Sequence, residues 1–288
     1  YADPVIENVA LKIGEGPDGF PNVDASKIRV DLQKLRPQAN KLNVLHVATA
    51  IYRTGGHGRL LNNLVRNDRH TCHSLLVTNQ GKLPFPAWLN DTISDSGGLV
   101  IHLPSNAPSI SKAKWLRAAS HSGVDAIMLH HHPNDPIPIV ALAVQDCPPT
   151  ALINHADHAF WLGSSIADVV VNIRPSGMHL SKARRSSRHN CLLPIPLCAS
   201  HAVAKEDARR KLGIPSDEVV LLSIGTAYKY RATETHDFFR TSTRILSEYP
   251  KAHLYLIGVD DNDHLRSGLH PHLHLLGEIE DVRLFYYA

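Results

Sequence analysis

The sequence predicts an α/β protein made of two Rossmann-like domains, each built on a parallel, doubly wound sheet. A continuous apolar run at 43–49 leads into a glycine-rich turn at 55–58 and then into helical spacing at 57–67. The same design recurs at 219–224, followed by helical spacing at 236–248. Continuous apolar runs are typical of parallel strands that are covered on both faces. Two such units predict two domains, and a ligand is expected in the cleft between them, at the carboxyl ends of the strands.

Strands and helices alternate regularly through the first domain, which we place at 42–205. Such alternation favours right-handed βαβ crossovers and therefore a parallel sheet. Proline near the start of the helix at 137–145 fits this pattern, because the first helical N–H groups have no partner within the helix. The predicted strands are 43–49, 73–78, 99–103, 126–129, 149–153 and 169–173, and the predicted helices are 57–67, 109–120, 137–145 and 176–183.

Residues 1–41 match neither copy of the design and are expected to form an N-terminal extension. The glycines and prolines from Gly14 to Pro21 indicate a loop, and 28–35 fits either a strand or a short helix. The segment 184–207 is first polar and basic and then contains prolines that favour extended backbone. We therefore expect it to link the two domains.

The second domain is placed at 206–288. Its predicted helices are 206–212, 236–248 and 281–287, and its predicted strands are 219–224, 254–258 and 273–277. Three strands are few for an open sheet that is buried on both faces, and the last helix has only begun where the sequence stops at Ala288. This domain is therefore expected to be incomplete.

Composition narrows the classes of function. The chain is 43% apolar, which is enough for two cores, and its net charge of +3 is too small to favour nucleic acid as the main partner. The cysteines form no C-x-x-C pair, so reduced thiols are expected. No apolar run reaches transmembrane length and no signal peptide is visible, so we expect a cytoplasmic location, with the basic cluster at 184–188 allowing peripheral membrane contact. The widely spaced cysteines are Cys72, Cys147, Cys191 and Cys198.

Several short motifs occur in an order that is more specific than any of them alone. They are Gly55-Gly56-His57-Gly58-Arg59, the strand 125–130 ending in His130, the strand 151–155 ending in His155, the helix and turn 210–215, Ile224-Gly225 followed by Lys229 and Arg231, and the segments 276–279 and 284–288. Together they resemble the GT-B glycosyltransferases, in particular the large nucleotide-sugar-dependent, mostly retaining family that is common in bacteria (family 4-like). The resemblance covers residues 42–288.

The resemblance implies a function as well as a fold. It implies transfer of a sugar from a nucleotide-sugar donor, held by the second domain, to a carbohydrate or glycolipid acceptor, held by the first, as in polysaccharide biosynthesis. Neither a metal nor another cofactor is implied. Gly225 with Lys229 or Arg231 would bind the donor pyrophosphate. The sequence departs from the family at Thr226, where an arginine is usual, and the family's pair of glutamates would lie beyond Ala288.

The resemblance also implies that His155 faces the donor sugar, and the chemistry of the residue fits such a role. An imidazole can donate a hydrogen bond there or act as a base near neutral pH. His155 is the first catalytic candidate, and His158 and Asp157, which follow it, are the next. We expect His155 to be needed for turnover more than for folding.

Two loops could bind anionic groups of a donor. Gly55 and Gly56 would let backbone N–H groups approach an anion at a helix N-terminus, although a tight turn without a ligand explains them equally well. Lys229 and Arg231 could neutralise the charge on a leaving pyrophosphate, and the alternative is a solvated basic loop.

The chain contains 20 histidines, which raises the question of a metal site. His130, His131 and His132 are consecutive, and side chains of an extended strand alternate between faces, so the three cannot converge on one ion. We therefore treat His57, His130 and His132 as further candidates for the cleft, and expect no metal.

Two other functions remain open. A metal-dependent hydrolase could use the histidines and aspartates at 130–135 and 155–158, because zinc and iron sites use such ligands at strand ends. A non-catalytic subunit that binds a sugar nucleotide or a glycan is the other alternative. The sequence does not identify the sugar, the nucleotide base, the acceptor or the oligomeric state.

Overall fold

The computed structural model describes residues 2–16, 35, 40–53, 55–82, 84–185, 187–197, 202–260, 269–279 and 281–288. The chain divides into two compact units, Tyr1–Cys198 and Ala199–Ala288. The sequence had suggested 205/206 for this boundary. The strand or helix expected at 28–35 lies outside the described residues, apart from Leu35.

The first unit contains a seven-stranded sheet in which every neighbouring pair is parallel. The strand order is β3-β2-β1-β4-β5-β6-β7. The chain thus builds outward from β1 in one direction, returns, and builds outward in the other. The strands are β1 (Leu42–Ala48), β2 (Thr71–Val77), β3 (Val100–His102), β4 (Ala126–Leu129), β5 (Thr150–Asn154), β6 (Val169–Asn172) and β7 (His189–Leu192).

Helices connect these strands and cover both faces of the sheet. Successive residues of a strand point to opposite faces. Accordingly Leu75 packs in one apolar cluster with Leu61 and Leu89, whereas Leu76 packs in another with Leu116. The helices are α1 (Pro4–Glu15), α2 (Gly56–Asn67), α3 (Ala87–Ser96), α4 (Ser109–Ser120), α5 (Ile137–Leu142) and α6 (Pro175–Arg184).

The second unit contains a three-stranded parallel sheet with the order β10-β9-β8. Its buried Arg209 donates hydrogen bonds to the carbonyl oxygens of Pro215 (2.7 Å), Glu218 (3.0 Å) and Ala288 (2.7 Å), and so joins the first and last helices of the unit. The elements are α7 (Lys205–Leu212), β8 (Val219–Ile224), a 3₁₀ turn (Ala227–Tyr230), α8 (Phe238–Glu248), β9 (Ala252–Ile257), β10 (Leu273–Leu275) and α9 (Arg283–Tyr287).

The predicted fold class, two parallel α/β sheets, is confirmed, but one helix was missed and two local predictions were wrong. Helix α3 was not predicted; its buried Leu89 and Ile93 are four residues apart, but the segment is otherwise largely polar. Strand β7 lies where a linker was expected; it is a largely exposed edge strand, formed by pairing with β6 rather than by an apolar pattern of its own. Gly14 lies in α1 and not in a loop. Packing rather than a turn explains the glycine, because a Cβ there would come within 2.6 Å of the Val140 carbonyl oxygen of α5.

None of the helices in the described part of the chain has the length and the apolar character needed to cross a bilayer.

The connection from α3 to β3 passes so close to β2 that only glycine fits there. A Cβ on Gly98 would lie 1.8 Å from the carbonyl oxygen of His73. We therefore expect Gly98→Ala to lower the free energy of unfolding by about 3 kcal/mol, because the backbone itself must move. The control is Gly56→Ala, where an added Cβ meets no atom within 4 Å. Equal chemical-denaturation midpoints for the two variants would contradict this packing.

Candidate active site

The candidate site lies at the topological switch point of the sheet in the first unit, where the connections from two adjacent strands leave in opposite directions. Strand β1 pairs with β2 on one side and with β4 on the other, so the connections that leave β1 and β4 diverge. Open α/β sheets bind ligands at the carboxyl ends of the strands at such a point. Histidines from three strand ends meet here: His57 follows β1, His130 follows β4 and His155 follows β5.

His57 and His155 form the centre of the site. Their rings stack with centroids 4.3 Å apart and an interplanar angle of 20°. The His155 ring also meets the fully buried Trp161 edge-on, with centroids 4.5 Å apart. His155 Nδ1 lies 3.2 Å from the carbonyl oxygen of Ile153, to which it can donate. That bond leaves Nε2 of His155 as the nitrogen with a free lone pair.

Both rings of this pair are neutral at neutral pH. Burial, together with the neighbouring His155 and His132, lowers the pKa of His57 to about 3. Burial likewise lowers the pKa of His155 to about 4, against the effect of its hydrogen bond to the Ile153 backbone. The pair can therefore accept or donate single hydrogen bonds, but it carries no charge that would attract an anion.

The three consecutive histidines point in different directions, as expected. His131 is fully buried, with Nε2 2.8 Å from the Leu162 carbonyl oxygen. His132 is half-buried and stacks on the exposed Tyr52, with centroids 6.1 Å apart. His130 is completely buried beside His57, with ring centroids 6.0 Å apart. His57, His130 and His132 thus cluster with His155, whereas His131 belongs to the core.

Asp135 ties the strand ends under the site together. Its carboxylate accepts hydrogen bonds from the hydroxyls of Thr49 (2.6 Å) and Thr78 (2.8 Å), and from the backbone N–H of Ile137 (3.0 Å) at the start of α5. The Thr49 hydroxyl in turn accepts from the backbone N–H of His132. The ends of β1 and β2 and the loop after β4 are therefore fixed to one another. This role of Asp135 was not predicted from the sequence.

A row of histidines inside the sheet was also not predicted from the sequence. His46 of β1 lies between His73 of β2 and His130, at 2.9 Å and 3.0 Å between ring nitrogens. The signal was present in the sequence: His46 interrupts the apolar run of β1, and His73 lies at the start of the apolar run of β2.

The glycine turn after β1 has open space around it. Gly55 has a φ of 122°, which favours glycine, and precedes α2 without capping its N-terminus through a side chain. An added Cβ on Gly55 or Gly56 would meet no atom within 4 Å. The first N–H groups of α2 are thus placed as in a helix-terminal anion site.

Asp157 and His158 do not join the cluster. The buried Asp157 carboxylate accepts two hydrogen bonds from Arg174, at 2.7 Å and 2.6 Å. Arg174, and to a smaller extent His158, lower the pKa of Asp157. The side chain of His158 is 81% exposed and lies 3.6 Å from Asp157. The geometry of Asp157 is that of a structural ion pair at the start of α6.

In the second unit, the candidates Gly225, Lys229 and Arg231 follow β8. Gly225 is packed, since its Cβ would approach the Tyr230 hydroxyl to 2.9 Å. Lys229 lies on the 3₁₀ turn and Arg231 just after it; both are exposed, and neither forms an ion pair with a described residue. The two cations are thus available at the carboxyl end of β8.

Within the described ranges, no group of three or more histidine, cysteine, aspartate or glutamate side chains is arranged to hold a metal ion. The histidine-rich loops at 130–135 and 155–158 therefore supply no such ligand set there.

Solved structures share the architecture of this chain. A glycosyltransferase from Rickettsia africae is 12% identical, with a TM-score of 0.55, over 86% of this chain and 71% of its own. A UDP-GlcNAc 2-epimerase from Neisseria meningitidis, bound to UDP-GlcNAc, is 12% identical, with a TM-score of 0.51, over 85% and 74%. An O-GlcNAc transferase mutant from Thermobaculum terrenum is 14% identical, with a TM-score of 0.47, over 89% of this chain. The chain spans 47% of the length of that protein.

No protein-family model matches the sequence, and no curated protein matches it. At identities this low, the likeness to solved structures establishes the fold. The chain has the Rossmann-like architecture of GT-B proteins, as the sequence motifs implied, and the narrower family 4-like assignment stays a prediction.

The buried neutral histidines predict how stability depends on pH. The folded state holds His57 near pKa 3 and His155 near 4, whereas the unfolded chain takes up these protons near 6.5. The contribution of these two histidines to the free energy of unfolding is therefore fully present above pH 6.5 and is lost as the pH falls from there toward 4. Each such group contributes a slope of about 1.4 kcal/mol per pH unit.

Denaturant titrations between pH 7.5 and 4.5 would measure this slope. We expect His57→Gln to reduce it, and the control His179→Gln, which replaces an exposed histidine of α6, to leave it unchanged. The same slope in all three proteins would show that folding does not lower the pKa of His57.

Proposed function

We propose that this protein is a glycosyltransferase that moves a sugar from a nucleotide-sugar donor to a carbohydrate-type acceptor. The observation that carries the proposal is the stacked, neutral pair His57 and His155 at the carboxyl edge of a GT-B-type sheet. Of the fold neighbours, one is itself described as a glycosyltransferase and another holds UDP-GlcNAc. These support a sugar nucleotide as the class of ligand.

His155 is the catalytic residue of this proposal. Because its Nδ1 can donate to the Ile153 carbonyl, its Nε2 can accept a proton or a hydrogen bond from a sugar hydroxyl. The rings of His57 and Trp161 hold it from two sides, which restricts its orientation. A pKa of about 4 keeps it unprotonated at neutral pH, as an acceptor must be.

Lys229 and Arg231 are assigned to the donor's pyrophosphate. Departure of a nucleoside diphosphate leaves negative charge, which cationic side chains can neutralise by charged hydrogen bonds. Both side chains are exposed at a strand's carboxyl end, where such a ligand is expected. The open first turn of α2 at Gly55 and Gly56 offers N–H groups to a second polar group of the substrates. Retention of the anomeric configuration follows only from the family resemblance.

Epimerisation of a sugar nucleotide is the second candidate, because an epimerase has the same fold. The two reactions are distinguished by products. Transfer or donor hydrolysis releases a nucleoside diphosphate together with a transferred or free sugar, whereas epimerisation of an intact donor returns a sugar nucleotide of changed configuration.

Nucleotide binding is tested by thermal denaturation with UDP, GDP and ADP. We expect one of them to raise the Tm, since a ligand that binds only the folded state stabilises it. Lys229→Ala and Arg231→Ala should each reduce the binding free energy by about 1.5–3 kcal/mol, the value of a charged hydrogen bond. Lys211→Ala removes the same charge from the exposed surface of α7 and serves as the control. A Tm shift that neither Lys229→Ala nor Arg231→Ala reduces would count against the assignment. The absence of a Tm shift with any of the three nucleotides would count against it too.

Turnover is tested with His155→Ala and His158→Ala in an assay of nucleoside diphosphate release. We expect the first variant to lose about 10²-fold or more, because it removes a proton acceptor. Since the ring packs on two aromatic neighbours, it should also lose about 1 kcal/mol of stability. His158→Ala should change neither quantity, because that side chain is exposed. Equal activity of the two variants would remove His155 from the mechanism.

A further inference from the structure

Three imidazoles form a hydrogen-bonded row through the interior of the first sheet. His73 Nδ1 lies 2.9 Å from His46 Nε2, and His46 Nδ1 lies 3.0 Å from His130 Nε2. The residues are 4%, 0% and 0% exposed, so no bulk water competes for these bonds. The row crosses the sheet diagonally, from the amino half of β2 through β1 to the carboxyl end of β4. It therefore runs from the amino-terminal half of β2 toward the carboxyl ends of the strands, where the candidate site lies.

The two ends of the row differ in chemistry. At one end, the buried His73 Nε2 faces a carboxylate oxygen of Asp68 at 3.5 Å, an electrostatic contact that does not have the geometry of a hydrogen bond, and the Asp68 side chain is 44% exposed. At the other end, His130 Nδ1 is buried and has no hydrogen-bond partner among the described residues. That end lies beside His57, with ring centroids 6.0 Å apart. The row thus runs from a carboxylate near solvent to the candidate active site.

Neutral imidazoles in a row must all donate in the same direction, because each carries one proton and one lone pair. If the row donates toward Asp68, His73 presents an N–H to the carboxylate and His130 Nδ1 keeps a lone pair. In the opposite direction, a lone pair of His73 would face the carboxylate, and His130 would bury an N–H with no acceptor. The negative charge of the carboxylate repels a lone pair that faces it. A buried N–H without an acceptor is also rarer in proteins than a buried acceptor with an unused lone pair. The geometry therefore selects donation toward Asp68.

We propose that Asp68, His73 and His46 are positioning residues that keep His130 protonated on Nε2 and leave its Nδ1 as a proton acceptor beside the His57–His155 pair. The use of this acceptor in turnover rests on the proposed function; the direction of the row does not.

The row can also carry a proton without separating charge inside the protein. A proton that reaches His130 Nδ1 lets the Nε2 proton pass to His46 Nδ1. His46 then passes its Nε2 proton to His73 Nδ1, and His73 passes its own to Asp68. Each ring gains one proton and loses one, so all three stay neutral, and the carboxylate becomes a carboxylic acid that can exchange with solvent.

The direction of the row is measurable by two-bond ¹⁵N–¹H correlation spectra of the chain labelled at histidine. These spectra distinguish a protonated ring nitrogen from one with a lone pair. Single variants His46→Gln, His73→Gln and His130→Gln assign the signals by difference, and any two that fold suffice. We expect all three rings to be neutral and protonated on Nε2 at pH 7. A wild-type His130 protonated on Nδ1 would overturn the proposal.

The anchoring role of Asp68 is tested in the same spectra. Asp68→Ala should populate the opposite direction, so that signals of an Nδ1-protonated His130 appear. The matched control Asp95→Ala removes a carboxylate from the exposed surface of α3 and should leave the three rings unchanged. If Asp68→Ala changes no tautomer, Asp68 does not set the direction, and the proposal fails.

The role in turnover is tested by the rate of nucleoside diphosphate release. We expect Asp68→Ala to lower kcat by about 10-fold with KM nearly unchanged, since it alters a proton acceptor and not a binding contact. A shifted tautomer with unchanged kcat would overturn the role in turnover. If no sugar nucleotide is consumed, the proposed function fails while the tautomers still decide the direction of the row.

Discussion

The parallel pairing of β1 with β2 on one side and β4 on the other is the constraint on which the site depends. It makes the chain reverse its direction of growth at β1, so the connections after β1 and β4 diverge and leave room above the strand ends. The buried Asp135 then joins those ends through Thr49, Thr78 and the first turn of α5. One carboxylate thus holds together the ends of β1 and β2 and the loop after β4, which carries His130 and His132.

Burial makes this cluster a neutral one. A histidine near its ordinary pKa would be partly cationic at neutral pH, and several cations this close would repel one another. The stacked rings of His57 and His155, with Trp161 edge-on against His155, are buried from water, and this burial lowers the two histidine pKa values. The first unit is therefore suited to proton acceptance, whereas the exposed cations Lys229 and Arg231 of the second unit suit an anion. The two kinds of chemistry are separated between the units.

Apolar runs and glycine turns were sufficient to predict both sheets, because parallel strands must be covered on both faces. They did not predict β7, whose residues are mostly exposed and which exists only through its pairing with β6. The residues of the site were predicted in part: His57, His130, His132 and His155 follow strand ends, and the structure brings them together. Asp157 was chosen for the same reason, yet Arg174, which follows β6, holds it in an ion pair. Only the three-dimensional neighbours distinguish the two cases.

The row His73–His46–His130 is costly for the fold alone. Apolar side chains at these positions would cover the sheet without requiring hydrogen bonds, and buried polar groups are tolerated only when their partners are in place. Here the inner nitrogens of the row are paired with one another, and His73 Nε2 faces the Asp68 carboxylate at 3.5 Å without a hydrogen bond of regular geometry, whereas His130 Nδ1, beside the candidate site, has no partner among the described residues. Departures from the simplest packing are expected where function requires them. In the proposed direction of the row, the unused lone pair lies on His130, beside the candidate site, and the N–H of His73 faces the carboxylate of Asp68.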